Sequence, residues 1–144
     1  MLPLRDNIGD GGAPISALLI VGLITLAGAV VPGGGWLPAL VGFAGAWIFV
    51  PTPVRRFGPI PVALVAGAFG ALGGWLATAA GHEAGLWAAP AAAAGVTALH
   101  LATNRDARVL ALFTIPFRSV FAEIRSWVFA LVWAGAALIL VVII

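Results

Sequence analysis

Few side chains in this sequence could do chemistry, and they are thinly spread: two histidines, five carboxylates and seven arginines, with no lysine and no cysteine. The absence of cysteine removes thiolate nucleophiles, disulfides and sulfur-ligated metals together. Thr97 and His100 stand three residues apart, which puts them on one face of a helix as a conceivable hydroxyl and base. The plain reading is that such a threonine hydrogen-bonds back to its own helix carbonyls. His100, close to the end of its helix, can reach lipid headgroups or a partner. As a neutral imidazole it is also the one candidate ligand for a haem or pigment metal. His82 and Glu83 are adjacent and read as a solvated turn, too far from His100 for the two histidines to share a metal.

The elements that hold these residues are set by composition. Apolar residues make up 62% of the 144 and charged residues 8%, a balance that only an integral membrane protein sustains. The net charge of +2 excludes a nucleic-acid footprint. Crossing about 30 Å of hydrocarbon takes roughly 20 helical residues, somewhat fewer in a close bundle. The sequence therefore predicts an all-α polytopic bundle of five spans, at about 14–31, 36–50, 59–80, 84–103 and 126–144, forming one domain. Residues 47–58, WIFVPTPVRRFG, mark the junction of the second and third spans as a Pro-rich turn bearing two arginines. Residues 105–125 carry charges too often to span and read as an interfacial segment broken near Pro116. The fifth span runs to the last residue, so the chain is expected to finish at the far side of the membrane.

On this layout Arg5, Arg55, Arg56, Arg105, Arg108, Arg118 and Arg125 all fall on one face, and the opposite turns carry none. The positive-inside rule then places the N-terminus in the cytoplasm and the C-terminus outside. Alanine, glycine, valine and arginine without lysine fit a bacterium of high GC content, hence its inner membrane. Arg55, Arg56, Arg105, Arg108, Arg118 and Arg125 are candidate contacts to anionic lipids or to a partner. Gly42, Gly67, Gly70 and Gly74 are candidate helix-packing positions, within the bundle or against a partner, with Gly70 and Gly74 in a G-x-x-x-G spacing. No ionisable residue lies at the middle of a span, which argues against a carrier.

Four motifs in order carry a family resemblance: LPLRDN at 2–7; WIF at 47–49 with RFG at 56–58; AAAGV at 92–96 with RDARV at 105–109; and EIRSW at 123–127 with Trp133 beyond. Together they resemble the rhomboid intramembrane serine proteases. That resemblance implies a rhomboid-like bundle without its sixth helix, and it also implies what is missing. In its register Pro90 stands where the nucleophilic serine would be, and Pro38 and Gly42 stand where the span-two histidine and asparagine would be. With the sixth span goes the base. A nucleophile without a base and without oxyanion donors does not turn over, so the expectation is a pseudoprotease-like protein that is not an enzyme. No cofactor is expected beyond lipids or pigments held at interfaces. The role this implies is an accessory subunit packed against transmembrane helices of a larger bacterial membrane complex, respiratory or photosynthetic in type. The alternative is a free-standing pseudoprotease that binds client membrane proteins transiently.

Overall fold

The computed structural model describes residues 2–6, 14–104, 108–115 and 118–143. In chain order the elements are β1 (Leu2–Asp6), α1 (Ile15–Val30), α2 (Trp36–Phe49), α3 (Pro51–Phe57), α4 (Pro59–Ala79), α5 (Gly85–Thr103), β2 (Arg108–Ile115), β3 (Arg118–Arg125) and α6 (Ser126–Ile143).

Proline and glycine punctuate the helices. Pro51 and Pro59 each stand in the first turn of a helix, where the missing N–H is not needed. α4 ends in a Schellman closure: Gly81 takes φ 82°, its N–H donates to the Thr78 carbonyl at 3.0 Å, and the His82 N–H donates to the Ala77 carbonyl at 2.8 Å. The turn after α1 is tied to the start of α5 by the Gly85 N–H, which donates to the Pro32 carbonyl at 2.8 Å. At the other end of the bundle the Arg56 Nη1 donates to the Thr103 carbonyl, the last residue of α5, at 3.3 Å. These ties fix the helices as alternating up and down, with the residue 50–58 junction and the end of α5 together at one end.

α5 is the central helix, in contact with α1, α2, α4 and α6. The core that surrounds it is made from Ile20 and Ile24 of α1, Ile48 and Phe49 of α2, Ala66 of α4, Ala89, Ala93 and Val96 of α5, and Phe129 and Trp133 of α6. Small residues on α5 let four helices approach one axis.

Among the described residues, α4 and α5 are each long and apolar enough to cross a membrane, and α2 with α3 meets the same test as one span bent by 51°. α1 and the stretch 126–139 of α6 are shorter apolar helices. Two to three spanning helices are what length and composition establish.

One expectation is corrected. The Pro-rich junction at 51–57 is a helix, α3, because Pro51 opens a new helix instead of closing the old one. Residues 108–115 and 118–125, within the segment expected to be interfacial, are the strands β2 and β3. β1, β2 and β3 form an antiparallel sheet in that order, and the helices make up the apolar body beside it. Pro116 itself lies in the connection between β2 and β3, outside the described residues. The strands form because alternating branched and aromatic residues, RVLALFTI and RSVFAEIR, pair in unbroken register from Arg108↔Arg125 to Ile115↔Arg118. β1 adds to β2 with an irregularity between Pro3 and Arg5, where proline has no N–H to give the ladder.

Candidate intramembrane interface

Thr97 and His100 are occupied and enclosed. The Thr97 hydroxyl donates to the Ala93 carbonyl at 2.8 Å, one turn back along α5. His100 is fully buried, with its ring edge-on to Phe49 at 5.0 Å between centroids, and Phe49 in turn lies 5.8 Å from Phe129. The expectation that His100 reaches headgroups is therefore corrected: the imidazole is fully buried against Phe49 of α2, which is backed by Phe129 of α6. Among the described residues no group of three or more His, Cys, Asp or Glu side chains could hold a metal ion. His82 and Glu83 are exposed in the turn before α5.

Of the positions singled out by the family resemblance, Gly42 packs against the residue before Pro90. Pro38 and Gly42 are buried on α2. A Cβ on Gly42 would lie 2.8 Å from the Ala89 Cβ, and Ala89 is the neighbour of Pro90 within α5. The same alanine meets α1, where a Cβ on Gly28 would lie 2.8 Å from it. Three helices thus touch at Gly28, Gly42 and Ala89, with no polar side chain among the three.

The remaining candidate glycines divide. A Cβ on Gly70 would meet the Ala88 carbonyl oxygen and the Ala92 Cβ, each at 3.3 Å, and one on Gly74 would meet the Ala84 Cβ at 3.4 Å. Gly67 has nothing within 4 Å; it does not pack against this chain's own helices, because Phe69 fills the next level of the α4–α5 seam against Gly95. The tightest contacts were not singled out by spacing. Gly73 lies against Ala91 and the Trp87 carbonyl, and Gly45 against the Trp133 ring, whose Nε1–H donates to the Val41 carbonyl at 3.0 Å. Trp133 is the peg that fastens α6 to α2. Ser126, also missed, is fully buried at the start of α6, and its hydroxyl makes no hydrogen bond with the described residues.

Gly67 faces a groove. Between α1 and α4, over the first half of α5, lies an apolar depression of about 600 Å³. Its walls are Ile20, Ile24 and Ala27 on one side and Gly67, Ala71 and Trp75 on the other. Gly67, Ala71 and Trp75 are exposed, so the groove is open along its length toward the surroundings. The only hydroxyl in its lining, that of Thr78, already donates to the Trp75 carbonyl at 2.8 Å.

Arg55 and Arg56 are exposed on the last turn of α3, with the Arg56 guanidinium 5.5 Å from the Phe57 ring centre. Arg125 is exposed immediately before α6. Arg5, Arg108 and Arg118 lie in the strands, and Arg105 is outside the described residues. Trp36, Trp47, Trp75 and Trp127 are exposed, whereas Trp133 is buried. No family model, curated protein or solved structure matches the chain, so the motifs quoted above carry the family resemblance alone.

Proposed function

We propose that this chain is a noncatalytic, rhomboid-like integral membrane protein of five spans that serves as an accessory subunit, packing against transmembrane helices of a larger bacterial membrane complex. In this reading α1, bent α2–α3, α4, α5 and α6 are the spans. The shorter helices cross because they are packed in a bundle, and the arginine-rich end faces the cytoplasm.

The observation that carries the reading is the outward face of α4. Only 28% of its spanning window is buried. Its inner glycines are used against α5, yet Ala63, Gly67 and Ala71 present a second row of small residues to the open groove beside α1. Lipid tails offer no hydrophobic drive for one helix to join another, so membrane helices associate where small residues let backbones come close. A row of this kind, left unfilled by the chain itself, suits a partner helix.

The noncatalytic part rests on the residue types Pro90, Pro38 and Gly42 at the positions the resemblance would give to the nucleophile and the oxyanion donors. A carrier is disfavoured because the buried polar side chains in the described helices are Thr52, Thr97, His100 and Ser126, with no buried carboxylate or guanidinium among them.

The test is Gly67→Leu combined with Ala71→Leu. A Cβ added at Gly67 meets nothing within 4 Å and Ala71 is exposed, so the protein should fold and insert as before. Association with its host complex should fall about tenfold or more, as expected when close helix packing is blocked. Unchanged association would remove the α4 face from the interface and with it the main support for the reading.

A further inference from the structure

We infer that α2 is the seam of a homodimer, in which the outward stripe of Trp36, Leu40, Phe43 and Trp47 packs against the same stripe of a second copy. These four are the exposed residues of α2. They are spaced by four, three and four residues, the strict two-per-heptad repeat that the seam of a left-handed helix pair requires. A helix turned to lipid shows a broader face. α1 does so, exposing Leu18 beside Leu19, Gly22 beside Leu23 and Ala29 beside Val30. On α2 no two consecutive residues are exposed, and every exposed one is large.

The stripe carries both halves of a knobs-into-holes contact. In a parallel pair each seam residue enters a hole made by four residues of the facing helix. The hole that receives Leu40 is made by Trp36, Ala39, Leu40 and Phe43, and the hole that receives Phe43 is made by Leu40, Phe43, Ala44 and Trp47. Each therefore includes one alanine, which gives the bulky knob its room. The Phe43 and Trp47 rings already lie 5.5 Å apart between centroids and stand as one aromatic ledge.

A surface that supplies its own knobs and its own holes is complementary to itself, and a two-fold contact uses one surface twice. Copies inserted in one membrane in one orientation are parallel. The two-fold axis then stands along the membrane normal and brings Leu40 to Leu40 and Phe43 to Phe43 at one depth. The seam is apart from the α4 groove, whose lining includes no residue of α2. The inference rests on the membrane insertion proposed above and not on the accessory-subunit role.

The chain has no cysteine, so an introduced thiol is the only one it carries. Leu40→Cys and Phe43→Cys probe the seam, and Leu23→Cys and Leu64→Cys, at exposed positions of α1 and α4, are the controls. In native membranes under copper-catalysed oxidation the seam variants should give about tenfold more linked dimer than the controls, because a disulfide closes only where Cβ atoms come to about 4 Å. Phe43→Ala added to Leu40→Cys should lower that yield severalfold by removing a knob, whereas Leu64→Ala added to it should not. Equal yields at all four positions, a linked product of any mass other than twice the chain, or no product from membranes that retain the protein through alkaline carbonate would each overturn the inference. Release by carbonate would overturn the membrane reading, and the inference with it.

Discussion

At the residue scale, glycines that look alike in sequence divide sharply by environment, and that division is testable. Gly42→Val should destabilise the protein by about 1–3 kcal/mol, because the new side chain must displace Ala89 at the point where three helices meet. Gly67→Ala should be neutral or should stabilise the isolated protein by up to about 1 kcal/mol, since alanine is the better helix residue and nothing stands within 4 Å. Thermal melts of the two variants in one detergent check both, and a larger loss at Gly67 than at Gly42 would contradict the packing described. Trp133→Phe keeps most of the ring against Gly45 and loses the hydrogen bond to Val41, which should cost about 0.5–1.5 kcal/mol. Pro90→Ser should yield no protease. The resemblance leaves that hydroxyl with neither base nor oxyanion donor, and specific cleavage of a transmembrane reporter by this variant would contradict the noncatalytic reading.

At the scale of elements, helix ends were legible because the residues that end helices act locally. Pro14, Pro59 and Gly81 stand at ends of α1 and α4 for reasons visible in a few neighbouring residues. α3 was not legible, because prolines at 51 and 53 read equally as a turn or as the first turn of a helix. The choice falls to the tertiary contacts that bury Thr52, Pro53 and Val54. The sheet escaped notice because its partners are remote: β1 at residues 2–6 pairs with β2 a hundred positions on, and the charges in 105–125 mask the alternation. The burial of His100 was likewise hidden, since Phe49 reaches it from another helix and is itself backed by Phe129 of a third. The G-x-x-x-G spacing located the α4–α5 seam at Gly70 and Gly74. It could not show that Gly73 is the more crowded position, because that depends on which side of α4 faces the Ala91 and Trp87 turn of α5.

At the scale of the whole molecule, the helices surround a small-residue axis on α5 and leave much of their apolar surface outward. Ile15, Leu19, Leu23, Ile60 and Leu64 are all exposed on α1 and α4. In a bilayer such surface is satisfied by lipid, so its extent alone decides nothing. What distinguishes the α4 side is the groove of about 600 Å³ with glycine and alanine in its wall, a shape that favours a lasting neighbour over fluid tails. α3 is bent by 51° from α2 and carries Arg55 and Arg56 on its last turn. In the proposed role the chain would contribute shape and position to an assembly, not turnover. The most direct measurement is the stoichiometry of the tagged protein purified from native membranes in mild detergent, read by native gel and mass spectrometry. The account predicts one discrete large complex holding this chain at a fixed ratio to its neighbours; a lone protein, or many partners each at low occupancy, would contradict it.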